Sequence, residues 1–157
     1  MAINRQKGNM YPWVTHTYSW MAGFMDGEAW IGIAKQIRKE RPSPTYRCIV
    51  TIPNQQIESL KIFEQKYGGR VRRENDCYRW YCPNKSLKSL LEDTIPYLIL
   101  KKPQAKLMLR YVSTIKKDYG YKPLTSRAIT KREEFYQKMK KLNRHTFRSE
   151  NHVTEQS

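Results

Sequence analysis

The chain has 157 residues, which suits one domain with one core. Thirty Lys and Arg against 14 Asp and Glu leave a net charge of +16, far more than solubility needs, and point to a polyanionic partner, DNA or RNA. The 12% aromatic content argues against a merely disordered basic protein, and no long apolar run, lipidation-type start or apolar signal core is present, so no membrane role is expected and the chain is expected inside a cell, in prokaryotic cytoplasm or an organelle.

In chain order, residues 1–14 read as a loose polar arm. A helix is predicted over about 15–27. In it small residues alternate with large apolar ones, and Asp26 and Glu28 stand at its end. Gly27 there also suits an ordinary C-terminal cap. Residues 28–39 alternate apolar and polar, with Ile31, Ile33 and Ile37 in the apolar set, as in a half-buried strand. Arg41-Pro42-Ser43-Pro44 is a turn. Residues 45–52 alternate again and complete a hairpin, which Pro53 is expected to end.

A helix follows over about 55–67, with Ile57, Leu60, Phe63 and Tyr67 on one face and Gly68-Gly69 closing it. Residues 70–74 and 76–82 form a second predicted hairpin around Asn75-Asp76. Leu87, Leu90 and Leu91 mark a short helix ending near Pro96. A longer helix starts near Pro103, with Leu107, Met108, Tyr111, Val112 and Ile115 as its buried stripe. After a loop over 119–126, a last helix is predicted from Thr130, where Thr130 and Glu133 have capping-box spacing. Phe135, Met139 and Leu142 give it an apolar face. The tail after Asn143 is polar and expected to fray.

The three cysteines, Cys48, Cys77 and Cys82, are odd in number and read as small, partly buried thiols in a reducing compartment. Cys77 and Cys82 lack two further ligands nearby, since His16, His145 and His152 are remote in sequence.

Met21-Ala22-Gly23-Phe24-Met25-Asp26-Gly27-Glu28-Ala29 resembles the signature of the LAGLIDADG homing endonucleases in its LAGFxDGEG form. Met stands for the first Leu and Ala29 for the final Gly. Pro96-Tyr97-Leu98-Ile99-Leu100-Lys101-Lys102-Pro103-Gln104-Ala105 resembles the family segment P-x-L-x-x-K-x-x-Q-A. The resemblance covers roughly residues 15–118 and implies an α+β fold. Its αββαββα core is a curved antiparallel four-stranded sheet backed by helices, here with an added C-terminal helix. It divides the chain into an arm (1–14), a core (15–118) and a C-terminal extension (119–157). One motif per chain implies a homodimer whose motif helices pack together through Met21, Ala22, Gly23, Met25 and Asp26, with Gly27 also allowing close approach.

The same resemblance implies a site-specific, metal-dependent DNA endonuclease, intron-encoded, cutting a long pseudo-palindromic duplex. Glu28 is then the ligand of Mg2+ (or Mn2+), helped by the Gly27 carbonyl, which suits hard cations held by oxygen. Asp26 takes a structural role at the helix end. Lys101 holds the scissile phosphate or its water and counters developing charge. The active-site amide is Asn54 or, with a one-residue shift, Gln55. Ordinary capping by Asn54 competes with that role.

Strand alternation places Trp30, Gln36, Arg38, Arg47, Thr51, Arg70, Arg72, Arg79 and Tyr81 on the face opposite the core, where an antiparallel ribbon fits the major groove. Lys35, Lys39 and Arg73 are expected at phosphates. The competing functions are an RNA maturase bound to intron RNA, a non-cleaving DNA-binding regulator on the same fold, and a generic basic RNA binder. A dead regulator should lack the carboxylate and the lysine; Glu28 and Lys101 are both present.

Overall fold

The structure, a computed structural model, describes residues 18–115 and 122–153, with side chains through residue 144. The predicted arm, the first residues of the motif helix and the core–extension boundary lie outside the described residues. The order is α1 (Tyr18–Glu28), β1 (Trp30–Gln36), β2 (Thr45–Asn54), α2 (Ile57–Tyr67), β3 (Arg70–Glu74), β4 (Cys77–Tyr81), α3 (Asn84–Thr94), α4 (Lys102–Thr114) and α5 (Ser126–Val153). The four strands make one antiparallel sheet in the order β1-β2-β4-β3. The two hairpins therefore meet through β2 and β4, as expected for this α+β class.

The alternating residues divide the sheet into two faces. Ile31, Ile33, Val50, Ile52 and Trp80 are buried under the helices. Trp80 packs on Phe63 of α2 at 5.3 Å between ring centroids, and Trp20 and Phe24 of α1 stack at 5.3 Å and close the same cluster. Leu60, Phe63 and Tyr67 of α2, Leu87, Leu90 and Leu91 of α3, and Leu107, Met108 and Tyr111 of α4 are buried as their periodicities require. Ile37 departs from the pattern: it stands past the end of β1 and is exposed.

Gly69 cannot be replaced without rearrangement. Its φ is +84°, and an added Cβ would stand 2.4 Å from the Tyr81 carbonyl oxygen. It lets α2 turn directly into β3, while the Gly68 carbonyl accepts the Trp80 indole N–H at 2.9 Å.

Several boundaries differ from the sequence reading. Pro53 does not end β2, which runs through Asn54. The Cys82 N–H donates to the Val50 carbonyl, so the alternation gives Pro53 no ladder bond to β4. β1 pairs only as far as Thr51, so no donor is required of Pro53 on that side either. The last helix starts at Ser126, four residues before Thr130. Its cap is Thr125, whose Oγ1 accepts the Ala128 N–H at 3.2 Å. Thr130 instead donates to the Ser126 carbonyl from inside the helix. The helix also continues past Asn143 to Val153 rather than ending there.

Glu133 is free of capping duty and reaches the sheet. It accepts Lys35 Nζ at 2.8 Å and the Tyr46 hydroxyl. Phe135 meets Tyr111 edge-on at 5.3 Å, and Asn143 Nδ2 donates to the Ile31 carbonyl at 3.1 Å. Thus α5 lies along β1 and covers an open sheet edge. Lys35, then Tyr46 and Gln137, hold the Glu133 carboxyl down at about 2. Its folded value is below its unfolded one, so its contribution is complete above about pH 5 and is lost as pH falls toward 2. Glu133→Gln is therefore expected to lower stability by about 1 kcal/mol at neutral pH and to flatten this part of the acid limb. Urea unfolding from pH 3 to 7 checks this; parallel wild-type and variant curves would contradict it.

Candidate active site and nucleic-acid interface

The motif helix ends where the sheet begins. Ala29 N still bonds Met25 O at 2.9 Å, and Trp30 opens β1. Glu28 is exposed at this junction, and its carboxylate forms no ion pair or hydrogen bond among the described residues.

Asp26 ties this junction to the loop before α4. Its carboxylate accepts the backbone N–H of Ile99 at 2.7 Å and of Lys101 at 2.9 Å. The loop is thereby turned so that Lys101 Nζ donates to the Asp26 carbonyl at 2.6 Å and the Met25 carbonyl at 3.1 Å. These are terminal carbonyls of α1, where the helix dipole is negative, so the ammonium belongs there electrostatically. A side chain 75 residues away in sequence is thus fixed two residues from Glu28. Gln104 and Ala105, which share the lysine motif, are buried inside α4.

Glu28 and the Gly27 carbonyl are hard oxygen donors, the kind that suit Mg2+ or Mn2+. They are few: among the described residues no group of three or more His, Cys, Asp or Glu comes together to hold a metal ion.

The amide candidates sit where β2 outruns β1. Trp30 pairs with Thr51, and Pro53 and Asn54 extend past the start of β1 toward the end carrying Glu28. Asn54 Oδ1 accepts the Gln56 N–H at 2.8 Å, forming the turn into α2 rather than capping the helix proper, whose cap is Gln56. Gln55 is exposed beside it.

Two sets of assignments change. Met21, Ala22 and Met25 are buried in the chain's own core and are not available to a second copy. Asp26 is engaged by the Lys101 loop. The exposed line on α1 is Ser19, Gly23 and Gly27, spaced by four, and an added Cβ at Gly23 or Gly27 would meet no atom within 4 Å. Ile99 and Leu100, 80% and 66% exposed, flank it.

On the sheet, the register places Trp30, Gln36, Arg47, Thr51, Arg70, Arg72, Arg79 and Tyr81 on the face away from the helices. Arg38 and Lys39 follow β1 and are exposed. Lys35 and Arg73 alternate to the helix side, and Lys35 is spent on Glu133 at 2.8 Å. Thr51 is on the outer face but buried, because Arg79 Nη1 donates to its Oγ1 at 3.3 Å. Trp30, 43% exposed, lies over Gly32: a Cβ there would stand 2.3 Å from its ring.

Glu74 is not in the outward set read from strand alternation. It shares the face with Arg72 by the period-two rule. It accepts the Tyr81 hydroxyl and Arg79 Nε, the latter at 2.8 Å. These contacts, Tyr81 first, hold its carboxyl below the usual carboxylate range. Arg72 lies 5.9 Å from the centre of the Tyr81 ring.

Among the described residues no helix is long and apolar enough to cross a membrane, and no protein-family model matches the chain. The chain is 31% identical over 105 residues to DNA endonuclease I-CvuI of Chlorella vulgaris, covering 62% of this chain and 65%, just under two thirds, of that relative. A crystal structure of the homing endonuclease I-CvuI with the I-CreI target, in 2 mM Mg and with the DNA not cleaved, superposes with a TM-score of 0.63. That likeness has 26% identity and covers 80% of this chain and 79% of that one. The LAGLIDADG meganuclease I-AabMI, bound to uncleaved DNA, shares the fold at a TM-score of 0.63 with 14% identity, over 77% of this chain and 46% of that one. Agreement with I-CvuI in both sequence and fold, together with the motif on α1, makes this chain similar to the LAGLIDADG homing endonucleases, whose fold it shares.

Proposed function

We propose that the protein is a site-specific, divalent-metal-dependent DNA endonuclease that cuts duplex DNA as a homodimer. The observation that carries this reading is the clamp in which Asp26 binds the Lys101 loop and Lys101 returns to the end of α1. That clamp fixes a cation on the last carbonyls of α1, two residues before the exposed Glu28, at one end of an arginine-bearing sheet face. A solvated basic surface has no use for such a loop.

Each side chain then has a task. Arg47, Arg70, Arg72 and Arg79 draw the duplex onto the outer face, which as an antiparallel ribbon suits the major groove. Glu28 and the Gly27 carbonyl hold Mg2+ or Mn2+. When bound, the ion supplies Lewis-acid stabilisation of the phosphodiester as its charge develops. Lys101 adds fixed positive charge to the same oxygens, and its bonds to Met25 and Asp26 spare it reorganisation during the reaction. Asn54 or Gln55 orients water; an uncharged amide is a poor base. Lys39 lies where it can meet phosphate.

A single Glu28 leaves the metal shell incomplete, which supports pairing of two chains across Ser19, Gly23 and Gly27, with Ile99 and Leu100 buried at the rim. Gly23→Arg is expected to turn a dimer into a monomer in sedimentation while leaving the circular dichroism unchanged. A dimer that survives this change would move the interface elsewhere.

The test of function is incubation with a plasmid library carrying intron-insertion sequences, with and without Mg2+ or Mn2+. Discrete metal-dependent cuts are expected. Tight duplex binding without cutting at any divalent metal would instead favour a DNA-binding regulator; selective binding of intron RNA would favour a maturase.

A further inference from the structure

A carboxylate on a surface that must attract a polyanion lowers affinity by repulsion. Yet Glu74 stands on the outer face, two residues from Arg72 and across the hairpin from Cys77, and both of its oxygens are in use. One holds the Tyr81 hydroxyl. The other holds Arg79 through Nε at 2.8 Å, while Arg79 Nη1 is tied to Thr51 at 3.3 Å. A guanidinium is a rigid planar fork of five donors. Held at Nε and at one Nη1 hydrogen, it has lost its freedom to swing. Donors on Nη1 and Nη2 remain, and an arginine presented in this way matches the O6 and N7 acceptors of guanine in the major groove.

We infer that Glu74 is a specificity-determining residue, which fixes Arg79 as a reader of a guanine edge at the expense of general attraction to phosphate. The inference rests on the DNA-binding reading given above. Tyr81 is fixed by the same carboxylate and in turn lies beside Arg72. Loss of Glu74 frees Arg79 to find phosphates, which need no fixed geometry.

The test is selection of bound duplexes from a randomised library by the full chain, with Glu74→Gln and Arg79→Gln in parallel, and affinity for one nonspecific duplex measured beside it. Glu74→Gln is expected to bind the nonspecific duplex several-fold more tightly. Its guanine preference at one position in each half-site should fall roughly tenfold, with the rest of the profile intact. Arg79→Gln should lose the same preference and bind the nonspecific duplex more weakly. A Glu74→Gln profile that superimposes on the wild type overturns the inference. So does a uniformly flattened profile, which would mean that Glu74 merely supports the sheet. Failure of the wild type to bind duplex DNA at all would sink the DNA reading itself, and the inference with it.

Discussion

Glutamine in place of Glu28 is expected to abolish cleavage and leave duplex binding in place. The side chain is exposed at the end of α1 and makes no bond among the described residues, so an isosteric amide costs the fold little. What changes is charge: a carboxylate is the hard anionic donor that Mg2+ requires, and a neutral amide is not. Metal assistance contributes several kcal/mol to phosphodiester hydrolysis, so the cutting rate should fall roughly a thousandfold or more. The arginines of the sheet are untouched, and gel-shift affinity should stay within about threefold, because binding follows phosphate contacts elsewhere. The comparison needs cutting and binding on one target, in Mg2+, for both proteins. Cutting by the variant at the native rate would remove Glu28 from the chemistry.

Asp26→Ala should damage both fold and activity. The carboxylate accepts two backbone N–H groups, from Ile99 and Lys101; its loss leaves both donors without that partner and releases the loop. Hydrogen bonds to a charged acceptor contribute about 1.5–3 kcal/mol each. With partial exposure, a total loss of about 2–4 kcal/mol is expected in urea unfolding. Lys101 then loses the geometry that holds its ammonium at the end of α1, and cleavage should drop roughly a hundredfold, the scale of a displaced catalytic group. Asp26→Asn keeps one acceptor oxygen and should be milder on both counts. If Asp26→Ala unfolds at the wild-type urea concentration and cuts normally, the clamp does not position Lys101. Glu28→Gln and Asp26→Ala are distinguished by stability, since only the second breaks bonds within the fold.

The site was legible in part for physical reasons. The motif on α1 and the lysine before α4 are both contiguous, so local order exposes them. Asp26 could be given a structural role because the motif places it at the helix end; its partners, Ile99 and Lys101, lie far along the chain and could not be named from spacing. The interface residues show the limit of a motif. Met21, Ala22 and Met25 sit in the recognisable string, but the rotation of α1 turns them into the core and leaves Gly23 and Gly27 outside. Rotation about a helix axis is set by what packs against it, here Phe63 and Trp80 through Trp20 and Phe24.

Sequence by itself determined the element order, the two hairpins, the core stripes of α2, α3 and α4, and the outward set Trp30, Arg47, Arg70, Arg72, Arg79 and Tyr81. Those follow from local periods of 3.6 and 2 and from the turn chemistry of Gly69 and Asn75, which need no knowledge of distant residues. Tertiary structure decided everything that depended on a partner. Lys35 looked like a phosphate contact until α5 brought Glu133 beneath it. Pro53 looked like a strand end until the β2–β4 register showed that its missing N–H was not needed. Thr130 looked like a cap until Thr125 was seen to hold the first turn of α5. In each case a side chain or backbone group had two local uses of similar energy, and long-range packing selected between them.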